Sequence, residues 1–272
     1  MTTRLLLSLR VTACGGMLLA ASILLAAGCT SSSSQATEPR ATAIVVFVDF
    51  SSSVSKADLA LFQQELTTQI IPSLSAGDRI LIAPITERTL TDFRPLVDVT
   101  LSAKPQFNGW LDNVLRYNRE VKDVEAQVIQ LKDKLRTEVA EVFAKPRSSP
   151  HTDIFSSVIL ANKVFHNESR RKVLVLMSDM VEDSPPYRFE TVSWNPATNQ
   201  KLLADLDAKG LIPDLSGVCV YVSGASAKSA EVAESIGDFW VAYFKQTHAD
   251  MDPSRYAHVL LHWPPAKGCS FD

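Results

Sequence analysis

Two aspartates and three hydroxyl side chains stand directly after, or close to, apolar segments of the sequence. They are Asp49, Ser51, Ser53, Thr152 and Asp179. Together they offer only carboxylate and hydroxyl oxygens, which are the ligands that Mg²⁺, Mn²⁺ and Ca²⁺ prefer in proteins. Two carboxylates that converge at strand ends repel each other unless a cation lies between them. The residue types therefore predict a divalent-metal site, provided that the fold brings these five side chains together.

The segments around these side chains follow two patterns. Continuous apolar runs predict buried strands of a parallel sheet, and an alternating run predicts an exposed edge strand. The predicted strands are residues 43–49, 79–85, 95–101 (the edge strand), 172–177, 218–222 and 256–262. The predicted helices are residues 55–71, 114–143, 153–165, 201–209 and 230–245. This alternation predicts an α/β fold: a Rossmann-like open, mostly parallel sheet with one antiparallel edge strand and helices on both faces.

The carboxyl ends of the predicted strands are where a ligand is expected, because open parallel sheets bind ligands there. Asp49 ends the first strand, and Asp179 follows the strand at residues 172–177. Thr152 lies in the loop before the helix that leads into that strand. The three groups are therefore expected to meet at one edge of the sheet.

This arrangement resembles the metal-ion-dependent adhesion site of von Willebrand factor type A domains. The shared features are Asp-x-Ser-x-Ser after the first strand, a Thr in a later loop and an Asp after the fourth strand. The resemblance covers residues 43–263. It implies that Ser51 and Ser53 bind the metal directly and that Thr152 binds directly or through water. It also implies that Asp49 and Asp179 mainly orient coordinated waters, and that Mg²⁺ (or Mn²⁺ or Ca²⁺) receives an acidic side chain of a partner protein.

The chain departs from that family at several positions. Residues 178–180 are Ser-Asp-Met where many members have Thr-Asp-Gly, and residues 150–151 are Pro-His where Gly is frequent. Asp153, Glu182 and Asp183 add acidic side chains near the site. These differences leave the predicted fold intact, but they change the environment of the metal.

Helix capping is the alternative explanation for each group, because Ser, Thr and Asp are the preferred residues at helix N-termini. Ser55 and Asp58 have the spacing of a capping box at the start of the first predicted helix. Thr152 or Asp153 stands at the start of the helix predicted at residues 153–165.

The N-terminus has the features of an export signal. Arg4 and Arg10 precede a short apolar run at residues 17–27, which is followed by Gly28-Cys29. Gly28-Cys29 resembles the lipobox of bacterial lipoproteins, although Ala26 stands where that family usually has Leu. The resemblance implies a signal peptide at 1–28, lipidation of Cys29, and an exported protein anchored in a membrane. An ordinary cleaved signal peptide and an uncleaved anchor are the alternatives.

The residues after the anchor point to a location in the cell envelope. Residues 29–42 are Ser-rich and are predicted to form a flexible tether. Thr30 follows Cys29, which resembles outer-membrane sorting in Gram-negative bacteria. The predicted location is therefore the outer membrane, on the periplasmic side or at the cell surface.

Two cysteines remain in the mature chain, Cys219 in an apolar strand and Cys269 in the tail at residues 264–272. In an oxidising compartment they either form a disulfide or stay as a buried thiol and an unrelated tail thiol. The sequence leaves both alternatives open.

Residues 110–144 contain a heptad-like apolar stripe with charged residues on the other faces. The pattern predicts one long amphipathic helix. It either packs on the domain's own sheet with its distal end extended, or projects as an arm that holds a partner.

Taken together, these patterns predict a membrane-tethered, metal-dependent protein-binding module rather than an enzyme. One alternative is a structural lipoprotein with a degenerate metal site that acts through the long helix. Another is a periplasmic serine hydrolase, because residues 53–56 are Ser-Val-Ser-Lys and residues 178–180 faintly resemble Ser-Asp-Asn. No Lys-Thr-Gly or Lys-Ser-Gly occurs in the sequence to support the hydrolase. A net charge of −3 argues against a nucleic-acid partner.

Overall fold

The computed structural model describes residues 40–109 and 113–270. The strands are β1 (Thr42–Asp49), β2 (Arg79–Ile85), β3 (Val97–Thr100), β4 (Arg171–Met177), β5 (Asp183–Ser184), β6 (Tyr187–Arg188) and β7 (Val218–Ser223). The helices are α1 (Lys56–Glu65), α2 (Ile71–Ser73), α3 (Val114–Ala144), α4 (Ile154–Phe165), α5 (Pro196–Ala208), α6 (Ala230–Gln246) and α7 (Pro265–Gly268). The predicted signal peptide (1–28), the lipidation of Cys29 and the tether up to residue 39 lie outside the described residues and stay predictions.

One five-stranded sheet has the order β3-β2-β1-β4-β7. Its strands run parallel except for β3, which pairs antiparallel with β2 at one edge. In the register, Val48 of β1 lies beside Pro84 of β2 and Met177 of β4, so the carboxyl ends of these strands are level. The predicted fold class, an open and mostly parallel sheet with one antiparallel edge strand and helices around it, is confirmed.

The sheet is buried on both faces because alternate side chains of its apolar strands enter two separate cores. Val45 and Phe47 of β1 contribute to the core that α4, α5 and α6 cover. Ile44, Val46 and Val48 contribute to the core on the opposite face, which α1 and α3 cover. A strand that is buried on both sides has no polar face, and this explains the continuous apolar runs in the sequence.

The predicted helices occur where the sequence placed them, with one boundary that differs. Ser55 caps α1: its hydroxyl accepts a hydrogen bond from Asp58 N while the Asp58 carboxylate accepts one from Ser55 N. A π-helical turn at Leu66–Ile70 joins α1 to α2. The helix predicted at residues 201–209 begins earlier, at Pro196, because the Asn195 side chain accepts a hydrogen bond from Thr198 N and caps it.

The long helix α3 is divided into a packed part and an exposed part. Leu135 and Val139, in its C-terminal half, are fully buried in the core between the sheet and the helices α1 and α3. Val114, Leu115 and Ile129 are 55%, 74% and 62% exposed. The helix thus packs on its own domain through its second half, and its first half extends along the surface. No helix in the described part of the chain is long and apolar enough to cross a membrane.

The strand predicted at residues 256–262 is wrong. This segment lies beside β7 but pairs with it only through an isolated bridge between Val222 and Tyr256. A 3₁₀ turn at Pro253–Arg255 precedes it, and the Leu260 N–H donates to the buried Glu65 carboxylate at 2.6 Å instead of to a strand. The apolar residues of this segment therefore do not mark a strand: Leu260 is buried in the core, whereas Val259 and Leu261 are 41% and 40% exposed.

The tail crosses back over the domain and is attached to it. Cys219 of β7 and Cys269 are joined by a disulfide. The buried Arg255 guanidinium contacts the Sγ atoms of both cysteines and donates to the Asp250 carboxylate. Trp263 Nε1 donates to Ser73 Oγ at 3.0 Å. The tail is thus part of the folded unit as far as Ser270, whose N–H donates to the Asp250 carboxylate at 2.8 Å.

Candidate metal centre

Asp49 links the ends of two neighbouring strands. It ends β1 and is fully buried. One carboxylate oxygen accepts a hydrogen bond from Ser51 N at 2.8 Å, and the other accepts one from Ser178 Oγ at 2.7 Å. The first bond shapes the loop after β1, and the second fixes that loop to the end of β4. Burial raises the pKa of Asp49, although both hydrogen bonds oppose this rise.

Ser51 and Ser53 present their hydroxyls next to each other, with Oγ atoms 3.0 Å apart. Ser51 is buried, whereas Ser53 is exposed at the mouth of the site. Neither hydroxyl caps α1, because Ser55 performs that role. Capping therefore does not explain why this loop carries Ser51 and Ser53.

Asp179 follows β4 and faces the loop after β1. Its Oδ1 accepts a hydrogen bond from Val181 N at 2.9 Å. Burial and, next, the nearby charge of Asp49 raise the pKa of Asp179 to about 6, although hydrogen bonds from Val181 N and Ser53 oppose the rise. Asp49, Ser51, Ser53 and Asp179 are thus brought together at one end of the sheet.

Thr152 is placed at the same end by a loop that is attached on both sides. Ser149 pairs with the loop after β1, accepting from Ser52 N and donating its own N–H to Phe50 O, both at 3.3 Å. The Thr152 carbonyl accepts from Asp183 N at 3.0 Å. Thr152 itself is 2% exposed. The cap of α4 is Asp153, whose side chain accepts from Ser156 N, so the Thr152 hydroxyl is not the cap of that helix.

Two basic side chains near this end of the molecule pair with an acidic residue outside the proposed donor set. Asp183 pairs with His151 at 2.8 Å and with Arg188 at 3.7 Å. Within the described ranges, no ion pair involves Asp49 or Asp179. Two buried carboxylates next to two hydroxyls, with no protein cation between them, form an oxygen-only donor set. Such a set fits a hard divalent ion such as Mg²⁺, Mn²⁺ or Ca²⁺.

Two residues that the sequence left without a role support this site. Ser178 orients Asp49 through its hydroxyl, and that hydroxyl also accepts from Met180 N at 3.0 Å. Met180 adopts φ 66° at the position where Gly is frequent in the resembling family, because a turn here requires the left-handed region. Its carbonyl accepts from Trp240 Nε1 at 2.8 Å, which helps to hold this conformation. The position directly before Asp179 was the available sequence signal for Ser178.

Glu182 has a different role from the one its sequence position indicated. Sequence analysis placed it among the acidic side chains near the metal. In the structure it is completely buried, and its Oε2 accepts from Ile154 N at 2.7 Å and Phe155 N at 3.3 Å. Burial raises its pKa well above the ordinary value. Glu182 therefore supports the first turn of α4, where backbone N–H groups lack helical partners.

No protein-family model and no curated protein sequence matches this chain. Among solved structures, the chain is similar to proximal thread matrix protein 1 from the mussel byssus, with a TM-score of 0.37 and 13% identity over 73% of this chain and 41% of that one. It is also similar to a von Willebrand factor type A protein from Catenulispora acidiphila, with a TM-score of 0.31 and 9% identity over 77% of this chain and 42% of that one. The chain spans about two fifths of the length of both structures. At these scores, neither likeness assigns the chain to a family.

Proposed function

We propose that this protein is a divalent-metal-dependent protein-binding module of the von Willebrand factor type A kind, tethered to the bacterial outer membrane through a lipid on Cys29. The observation that carries the metal site is the convergence of Asp49, Ser51, Ser53 and Asp179 without a protein cation among the described residues. Thr152 is the fifth residue of the proposed site.

The proposed roles follow from how each side chain is held. Ser51 and Ser53 bind the metal through their adjacent hydroxyls, and Asp49 is held by Ser51 N and Ser178 Oγ so that it orients coordinated water. The bound cation supplies a positive charge that attracts a carboxylate from outside. Because hydroxyls leave the charge of the metal largely uncompensated, an acidic side chain of a partner protein is the ligand best suited to complete the site.

Titration calorimetry of Mg²⁺ and Mn²⁺ into the chain from Thr30 onward tests the proposal. We expect one saturable site that is lost in the double variant Asp49→Ala/Ser51→Ala, because that variant removes one hydroxyl and the carboxylate that fixes the loop. Ser52→Ala is the matched control, since this exposed side chain lies between the two serines and should leave binding unchanged. If the folded wild-type protein binds no metal up to millimolar concentration, the metal site is refuted.

In the alternative of a structural lipoprotein, the long helix α3 is the surface that binds a partner. Substitutions in that helix should then abolish partner binding and leave metal binding unchanged. Val124 and Leu131 lie on the half-buried stripe of α3, whereas Ile129 lies on its exposed side. We expect Val124→Glu/Leu131→Glu, compared with Ile129→Glu as control, to retain both Mg²⁺ binding and capture of an envelope partner in a pull-down. Loss of capture with Mg²⁺ binding intact would instead favour the helix as the binding surface.

The contacts of the two serine groups do not favour the hydrolase alternative. In the described residues, Ser53 Oγ lies beside Ser51 Oγ and hydrogen-bonds to Asp179, and Ser178 Oγ donates to Asp49. Both acceptors belong to the proposed metal site. A serine nucleophile needs an adjacent base to remove its proton. Asp49, the acceptor of Ser178, is itself held in the buried centre of the proposed metal site.

A further inference from the structure

A small apolar cavity lies beside the candidate metal centre. Its volume is about 100 Å³. Its apolar walls are formed by Val181, Phe189, Val192, Trp194, Val232 and Ile236. Pockets that hold small molecules usually measure roughly 300–1,000 Å³. This cavity is therefore of a size that suits one apolar side chain and not a whole ligand molecule.

The cavity shares its walls with the metal centre through two loops. Val181 lines the cavity, and its N–H donates to Asp179 Oδ1 at 2.9 Å. Ala227 also lines it and directly follows Ser226, whose N–H donates to the Asp179 carbonyl at 3.2 Å. Two residues of chain span at most about 7 Å. Val181, in the wall of the cavity, thus lies no more than about 7 Å from Asp179 along the backbone.

The walls are ordered and carry one polar atom without a partner. The Trp194 ring packs edge-on against Phe189 at 5.0 Å and lies 5.8 Å from Phe239. The Trp194 Nε1 atom is buried and has no acceptor among the described residues. At the rim, Lys228 pairs with Glu190 at 3.0 Å, and both side chains are well exposed. A buried indole N–H usually has a hydrogen-bond partner, and a carbonyl of a docked chain is a suitable one.

We infer that this cavity receives an apolar side chain of the same partner segment whose acidic side chain reaches the metal. The inference rests on the proposed function. In an extended chain, residues i and i+2 point to the same side and lie about 7 Å apart, enough to span the two residues of chain between Asp179 and Val181 in the cavity wall. The preferred partner is thus an extended segment in which Asp or Glu and a residue such as Leu are separated by one residue.

Short peptides test this preference by NMR titration of the chain from Thr30 onward, with Mg²⁺ and with EDTA. The probes are acetyl-Gly-Asp-Ser-Leu-Gly-amide, its reversed order Leu-Ser-Asp, and the same two peptides with Ser in place of Leu. In Mg²⁺ we expect one of the two leucine peptides to bind about tenfold tighter than its serine counterpart, the change expected for burying one leucine side chain. The peptide should also shift the resonances of residues that line the cavity.

Two variants test whether the preference for leucine peptides arises from the cavity. Ala227→Leu fills the cavity from its wall and Trp194→Ala removes a wall, so both should abolish the preference for leucine while Mg²⁺ binding persists. Leu90→Ser is the matched control, because Leu90 is an exposed apolar side chain outside the cavity. Mg²⁺-dependent binding with equal affinities for leucine and serine peptides, or a leucine preference that survives in both variants, overturns the inference alone. Binding that is equally strong in Mg²⁺ and EDTA, or no binding at all, overturns the acidic-partner proposal as well.

Discussion

Asp179→Asn is expected to stabilise the metal-free protein at pH 7.5 by up to about 3 kcal/mol. The pKa of Asp179 is raised from 3.8 to about 6, chiefly by burial and next by the charge of Asp49. Each pKa unit corresponds to about 1.4 kcal/mol, so an ionised Asp179 costs this amount in the folded state. Asn is almost the same size, can still accept the hydrogen bond from Val181 N, and carries no charge.

The dependence of this effect on pH follows from the direction of the pKa shift. Since the pKa of Asp179 is raised in the folded state, its contribution to stability is fully present below pH 3.8 and is lost as the pH rises through about 6. The gain in Asp179→Asn should therefore be largest above pH 7 and vanish below about pH 4. Urea unfolding followed by circular dichroism at a series of pH values, with EDTA present, measures it.

Saturating Mg²⁺ should make the wild-type protein more stable than Asp179→Asn. A metal that binds only the folded state adds about 4.1 kcal/mol at 1,000 times its Kd, which exceeds the gain of about 3 kcal/mol in the variant, and the variant gains none of this. Asp183→Asn is the matched control, because Asp183 pairs with His151 and Arg188 and is not part of the proposed site. A metal-free Asp179→Asn protein that is less stable than wild type at pH 7.5 would show that Asp179 has a favourable partner in the fold.

The positions of the side chains at the candidate metal centre could be predicted because they depend on local rules. A continuous apolar run such as residues 43–49 identifies a buried strand, and in a parallel sheet its polar end lies at the ligand-binding edge. Asp49 and Asp179 follow from this rule without any knowledge of tertiary contacts. Their hydrogen bonds do not follow from it. Ser178 donates to Asp49 from 129 residues away, and no local pattern indicates such a partner.

The segment at residues 256–262 shows why some elements of the fold could not be predicted from the sequence. Its apolar residues are typical of a strand, and its first residues bond to the backbone of Val222 and Gly224. The Leu260 N–H, however, donates to the carboxylate of Glu65, which is 195 residues away. Burial of Glu65 raises its pKa, and the hydrogen bonds from Ser223 and Leu260 offset part of that cost. An acidic side chain within an amphipathic helix gives no sign that it will hold a distant loop. The apolar cavity beside Asp179 is likewise formed by segments that meet only in the folded protein.

The variant Cys219→Ala/Cys269→Ala is expected to lose about 4 kcal/mol of stability. The two cysteines are 50 residues apart, and a cross-link that closes a loop of this length restricts the unfolded chain by about that amount. Arg255, which is 1% exposed, also loses the contacts that it makes with both Sγ atoms, although it keeps Asp250.

Urea unfolding with and without dithiothreitol measures the contribution of the disulfide. Reductant should lower the stability of the wild type to that of the variant and leave the variant unchanged, since the chain from Thr30 onward has no cysteines besides Cys219 and Cys269. Mg²⁺ binding should survive in the folded variant, because Cys219 lies in β7 at the edge of the sheet, whereas Asp49 lies at the end of β1 in its centre. If the oxidised wild type and the variant unfold at the same urea concentration, the disulfide adds no net stability, and the hydrogen bonds of Trp263 to Ser73 and of Ser270 to Asp250 are sufficient to hold the tail.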